Sequence, residues 1–301
     1  IRYTKKCATT LSMFLRLTPQ LFSGVRAFSS SGSLWKSFNP TLLSLERLSS
    51  AEHSGISVLT LNHPKANAIN RQLLTELRDA VQIANFDRSI RVLLLRSALQ
   101  RTFCAGSDLK ERLVMSELEV EAHVHRLRSV FTEFQQLSIP TIAVIDGNSL
   151  GGGLELALCC DFRIAGSNAK VGFPETSLGI LPGAGGSQRL SRLIGATRAK
   201  ELIFTARRLD AKAAHKIGLV DYYVEDGSGY DRAIELACEI LPQAPISLKV
   251  SKIAIDRGVE MDLDSGLNLE KQCYAQVIPT KDRMEGLNAF AEKRKPIFKG
   301  E

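Results

Sequence analysis

The chain has 301 residues, 44% hydrophobic and 24% charged, a composition able to bury a sizeable core. No apolar run approaches the roughly 18–20 residues that a membrane-spanning helix needs. Six of the 39 basic residues lie in residues 1–40, which contain no Asp or Glu, and the other 33 stand against 32 acidic residues. The formal charge of +7 therefore belongs to the N-terminal segment, and the body is nearly neutral.

Residues 1–40 carry Arg2, Lys5, Lys6, Arg16, Arg26 and Lys36 among Ser, Thr and apolar residues such as Leu11, Phe14, Leu17 and Phe22. Basic, acid-free and Ser-rich is the composition of an organelle transit peptide. Arg16 and Arg26 interrupt any apolar stretch of the secretory kind. Cleavage is expected near Phe28, and the mitochondrial matrix is the expected destination, ahead of plastid or peroxisome. A disordered basic arm is the alternative. The six cysteines, Cys7, Cys104, Cys159, Cys160, Cys238 and Cys273, show no CxxC spacing, so buried reduced thiols are expected.

Ile56–Leu61 reads as a strand, followed by a turn at Asn62-His63-Pro64-Lys65. From about Asn70 to Phe86, Leu73, Leu74, Leu77, Ala80, Val81 and Ala84 share one helical face. Arg91–Arg96 is a buried strand, and Asp108–Gln136 is mostly helical with a break near Met115-Ser116. Thr141–Ile145 is again a strand, Gly152–Leu158 a helix and Asp161–Ala165 a strand. Short helices are expected over 186–216, a strand over Leu219–Val224, and helices thereafter. The alternation predicts an α/β core with mostly parallel strands and a helical C-terminal part. The expected division is 1–40 leader and arm, 41–245 core, and 246–301 C-terminal helical region.

Two segments run from strand through small residues into a helix: Phe103-Cys104-Ala105-Gly106-Ser107-Asp108-Leu109-Lys110 and Asp146-Gly147-Asn148-Ser149-Leu150-Gly151-Gly152-Gly153-Leu154-Glu155-Leu156. Free N–H groups at such helix starts attract negative charge, and two of them converging can form an oxyanion hole. Either turn alone is equally explained by close backbone packing. No GK[ST] follows the triple glycine, so it is not a phosphate loop. Glu155 lies in an otherwise apolar helix, and Glu175 follows Pro174 in a segment with little polar company. A carboxylate in such a place is costly unless paired, hydrogen-bonded or shifted in pKa. Two of them could divide general base and general acid duties, or both could be structural.

These segments, together with Pro174-Glu175-Thr176 and Leu181-Pro182-Gly183-Ala184-Gly185-Gly186-Ser187-Gln188-Arg189-Leu190, resemble in order and spacing the motifs of the enoyl-CoA hydratase (crotonase) family. Ile278-Pro279-Thr280-Lys281-Asp282-Arg283 and Glu292-Lys293-Arg294-Lys295-Pro296 resemble its methylglutaconyl-CoA hydratase and enoyl-CoA hydratase domain-containing branch. The resemblance implies a crotonase-like ββα spiral core with a C-terminal helical trimerisation region, and trimers or hexamers. It implies an oxyanion hole from the N–H groups of Ser107 and Gly152, with Ser107 where many members have Ala. It implies catalytic roles for Glu155 and Glu175, and a water positioned with help from the Gly183 N–H. It places Lys65, Ala66, Ala105, Asp108, Leu109 and Lys110 against CoA, with Phe290 and Lys293 reaching it from a neighbouring subunit. The implied reaction is hydration of a 2-enoyl-CoA, because relatives that isomerise or hydrolyse acyl-CoA typically lack one of the acids. No cofactor is implied beyond the CoA of the substrate. Another acyl-CoA reaction of the family, isomerisation or thioester hydrolysis, is the alternative. Some relatives of the branch bind AU-rich RNA through a lysine-rich helix, but here the matching helix holds Arg71 and Arg78 against Glu76 and Asp79, so a nucleic-acid partner is not expected.

Overall fold

The computed structural model describes Trp35 and residues 38–301; the expected leader and its cleavage region, with Cys7, lie outside the described residues. Residues 38–301 form one unit. Two sheets organise it. The larger has six strands in the order β1 (Leu43–Arg47), β2 (Ile56–Leu61), β3 (Val92–Ser97), β5 (Thr141–Ile145), β7 (Phe162–Ala165) and β10 (Tyr222–Tyr223). Only the β1–β2 pair is antiparallel. The smaller sheet orders β4 (Thr102–Cys104), β6 (Asn148–Leu150), β8 (Lys170–Gly172) and β9 (Arg208–Asp210), the first three mutually parallel.

The apolar runs of β3 and β5, and the apolar residues on both faces of β2, are explained by burial on both faces, as parallel strands require. Ile56, Val58, Val92, Leu94, Ile142, Val144 and Ile164 form one core layer with Ala233, Leu236 and Ala237 of helix α8 (Tyr230–Ile240). On the alternate positions Leu59, Leu61, Leu93 and Leu95 are buried as well. Helix α1 (Arg71–Phe86) starts where the Asn70 side chain accepts the Leu73 N–H, and it buries all six apolar residues of the expected face together with Ile83.

The break expected near Ser116 separates α2 (Leu109–Leu113) from α3 (Glu117–Gln135). Its cause is a capping box: Ser116 and Glu119 each hold the other's backbone N–H, so a new helix begins there. Helix α4 (Gly152–Ala157) is wholly buried. After β8 come a 3-10 turn (Glu175–Leu178), α5 (Gly186–Ile194), α6 (Ala196–Phe204) and α7 (Ala211–Lys216). The strand expected over Leu219–Val224 shrinks to Tyr222–Tyr223, because Leu219 and Val220 are buried in the turn that leaves α7 rather than paired with β7. Helices α9 (Pro245–Gly258), α10 (Leu263–Val277) and α11 (Lys281–Ala291) close the chain. Among the described residues Cys104, Cys159, Cys160 and Cys273 are buried and Cys238 is half-buried, and none forms a disulfide. No described helix is long and apolar enough to cross a membrane.

Candidate active site

Because β4, β6 and β8 run parallel side by side, their C-terminal ends lie along one edge. Each feeds a functional segment there: β4 leads to Ser107, β6 to Gly152 and Glu155, β8 to Glu175. Outside the carboxyl ends of parallel strands is where α/β sheets commonly place their sites. The three segments wall a cavity with about 80 Å³ open to water, lined by Ala105, Ser107, Gly152, Glu155, Glu175 and Gly183 among others. At roughly 30 Å³ per liquid water, that is room for two or three waters.

Close approach explains the glycines. Gly151 has φ 51°, a backbone position hostile to side chains, and a Cβ there would sit 2.7 Å from Glu175 Oε1. At Gly153 a Cβ would lie 2.2 Å from the Cys104 carbonyl oxygen, so helix α4 packs directly on the β4 backbone. A Cβ at Gly152 would stand 3.4 Å from the Ser107 nitrogen, so the two turns lie close together beside the cavity. Gly152 is the first residue of its helix, and its N–H has no intrahelical acceptor. Ser107 bridges to Ile69 through bonds from Ile69 N to Gly106 O and from Asp108 N to Ile69 O, which leave its own N–H out.

The two carboxylates differ in their surroundings. Glu155 is 3% exposed, and its Oε1 accepts hydrogen bonds from the N–H groups of Ala184 at 2.8 Å and Gly186 at 2.7 Å. Burial raises its pKa, while these bonds and the charges of Arg189 and Arg128 oppose the rise. Glu175 is 8% exposed, and its Oε2 is buried without a hydrogen-bond partner among the described residues. Burial first and the Glu155 charge second push its pKa up to about 7. Burial thus raises the pKa of both acids, but two N–H donors favour the ionised form of Glu155, whereas Glu175, at about 7, has no such donor on Oε2 among the described residues.

The remaining sequence-derived residues divide. Ala105 and Leu109 line the cavity, and Asp108 caps α2 by accepting the N–H groups of Lys110 and Glu111. Lys65 and Lys110 are exposed beside this region; Ala66, at φ 55°, accepts the Ala105 N–H. Phe290, 86% exposed, and Lys293, also exposed, stand at the end of α11 and are not among the lining residues. Sequence reasoning missed Ala184 and Gly186 as holders of Glu155. It also missed Arg112, the one cation lining the cavity among the described residues, and the buried Asn67, whose side chain ties His63 N–H to Ser97 and the Phe103 carbonyl. The Asn67 position, at φ 51°, is one that Asn tolerates better than most residues, and that preference was the available signal.

Paired carboxylates facing main-chain donors at parallel strand ends define an enzyme that can protonate and deprotonate a substrate while gripping an oxygen. Residues 51–301 match the model of the enoyl-CoA hydratase/isomerase family, and the chain belongs to that family. It is 52% identical over 253 residues to mouse enoyl-CoA hydratase domain-containing protein 2, mitochondrial, covering 82% of this chain and 86% of that protein. It is 50% identical over 255 residues to human mitochondrial methylglutaconyl-CoA hydratase, covering 83% and 75%. Among solved structures, an enoyl-CoA hydratase from Bacillus anthracis superposes with TM-score 0.83 at 45% identity, covering 87% of this chain and all of that one. The expected crotonase-type α/β fold is thereby established, and the helical C-terminal region is present as expected.

Proposed function

We infer that the protein is a mitochondrial enoyl-CoA hydratase that adds water across the C2–C3 double bond of a 2-enoyl-CoA. The family match and the mitochondrial hydratases among its relatives support the reaction and the compartment. The observation that carries the mechanism is the convergence of Glu155, Glu175, Ser107 and Gly152 on one cavity.

The N–H groups of Ser107 and Gly152 take the thioester oxygen. As water adds, negative charge moves from the double bond onto that oxygen, so the two donors stabilise the transition state more than the ground state. Glu155, ionised, removes a proton from the water that attacks C3. Glu175, protonated, delivers its proton to C2. The turnover leaves Glu155 protonated and Glu175 ionised, and exchange with solvent resets the pair. Gly183 stands beside the water's position and contributes its N–H. The reading asks for no metal or redox group, and CoA enters with the substrate along Lys65, Ala66, Ala105, Asp108, Leu109 and Lys110. Residues 41–245 supply this machinery. The helices of 246–301 join copies into a trimer or hexamer, in which Phe290 and Lys293 reach a neighbour's CoA. Arg112 in the cavity wall favours an acyl chain with a distal carboxylate, of the 3-methylglutaconyl type, over a plain short chain.

Incubation with crotonyl-CoA in ¹⁸O-labelled water should give 3-hydroxybutyryl-CoA carrying the label at C3. Label in a free carboxylic acid, or isomerised product without label, would instead mark a hydrolase or an isomerase. Glu155→Gln and Glu175→Gln should each lower kcat by about 10²–10⁴-fold, the usual worth of a general acid or base. A panel of crotonyl-CoA, a branched 2-enoyl-CoA and 3-methylglutaconyl-CoA then reads the acyl preference.

A further inference from the structure

The loop that holds Glu155 is itself held from behind. Behind it lies a second cavity lined by Arg128, Thr132, Gln135, Gly183 and Arg189. Arg128, on α3, donates from Nε at 3.3 Å and Nη2 at 3.0 Å to the Gly183 carbonyl. That carbonyl and the Ala184 N–H belong to one peptide group, and the Ala184 N–H donates to Glu155 Oε1 at 2.8 Å. Arg189, on α5, donates from Nη1 at 2.8 Å to the carbonyl of Ala184 and from Nε at 2.7 Å to Gln135 Oε1. Among the described residues neither arginine pairs with a carboxylate, although surface ion pairs are plentiful elsewhere in the molecule. Arg128 instead directs Nε and Nη2 at the Gly183 carbonyl, and Arg189 gives Nη1 to the Ala184 carbonyl while Nε and Nη2 reach the Gln135 and Thr132 side chains of α3.

We propose that Arg128 and Arg189 are positioning residues for the reaction, acting on Glu155 through the peptide groups of residues 183–185. A guanidinium on the oxygen side of a peptide polarises it, and the N–H on its far side becomes a stronger donor. The Arg128–peptide–Glu155 chain is such an arrangement, with the positive charge separated from the carboxylate by a single peptide unit. Arg189 anchors the next peptide, fixing the turn that brings the Gly186 N–H to the same oxygen at 2.7 Å. Neither arginine needs to touch substrate to do this.

The titratable and charged groups facing Glu155 are few. Glu175 opposes its ionisation from the 3-10 turn after β8, and Arg128 and Arg189 favour it from α3 and α5. The Cys159 thiol in the turn after α4, pushed up to about 12 by burial, stays neutral. Removing one cation therefore makes Glu155 harder to ionise, and the acidic limb of the pH profile moves to higher pH.

The inference rests on Glu155 being the base, and one set of variants of the full chain separates the two claims. Arg128→Gln should lower kcat for crotonyl-CoA hydration about tenfold with KM unchanged, and raise the acidic limb of kcat/KM by about one pH unit. Arg128→Lys, which keeps the charge but not the fork, should recover most of the limb position and less of kcat. Arg189→Gln should repeat the pattern, and because it also loses its bond to Gln135, melting curves accompany each variant. An unmoved acidic limb with normal folding, or a rise in KM alone, would overturn the proposal. If Glu155→Gln keeps near-normal turnover, the reading of Glu155 as base fails; if only the arginine variants behave as wild type, this inference fails by itself.

Discussion

Glu175 is a burden to the fold as an anion. Its carboxyl titrates at about 7 in the folded chain against 4.5 as a free group. Below about pH 4.5 both folded and unfolded chains are protonated there and the group costs nothing. Between about 4.5 and 7 the unfolded chain releases its proton first, so stability falls as pH rises; above about 7 the loss is complete. At about 1.4 kcal/mol per pKa unit, the ceiling is about 3 kcal/mol. Glu175→Gln, an isostere that cannot ionise, should therefore melt at a higher temperature than the native protein at pH 8. At pH 4.5 the gain should be small. An equal shift at both pH values would contradict this account. In catalysis the same titration should make turnover decline above about pH 7, as the acid loses its proton. Glu155 and Glu175 were legible in the sequence because a carboxylate among apolar neighbours is conspicuous. Arg128 was not, because its effect passes through a main-chain carbonyl some 55 positions away, at Gly183.

At the level of elements, five of the six strands of the larger sheet and the helices were legible from apolar runs and periodicity, whereas β1 (Leu43–Arg47) and the smaller sheet were not. The smaller sheet's strands have three residues each, too short to display an alternation of two. What marks them is the glycine spacing, which reports backbone approach rather than side-chain pattern. Gly153→Ala tests that reading: its methyl would meet the Cys104 carbonyl oxygen at 2.2 Å, and no flexible side chain is there to give way. A loss of about 1–3 kcal/mol is expected from such overpacking, read as a lower urea midpoint with the slope unchanged. Hydration should fall as well, since β4 leads to Ser107 and α4 begins at Gly152. Asn67→Ala acts on the neighbouring loop. It would strand the His63 N–H and the Phe103 carbonyl, at about 1–3 kcal/mol for each buried group left unsatisfied.

Across the molecule, the C-terminal helices carry large apolar side chains that this single chain leaves bare. Val259 and Leu263 are each 76% exposed, and Leu267, Tyr274 and Leu287 are exposed too. Patches of this kind mark surfaces that associate. Sedimentation of the protein should give three or six copies, and Leu263→Asp with Tyr274→Asp should shift it toward the single chain; a monomeric native protein would refute the trimer. The parallel edge of β4, β6 and β8 has a bearing on divergence. The proposed proton-handling groups and oxygen grip follow directly on those strand ends. Much of the wall around them, Arg112, Val124, Leu127, Leu178, Ile180 and Leu181, comes from helices and turns lying between or beyond those ends. Tailoring to a new acyl tail can therefore proceed by changing that wall alone, so one unchanged chemical apparatus can be inherited by descendants with different diets.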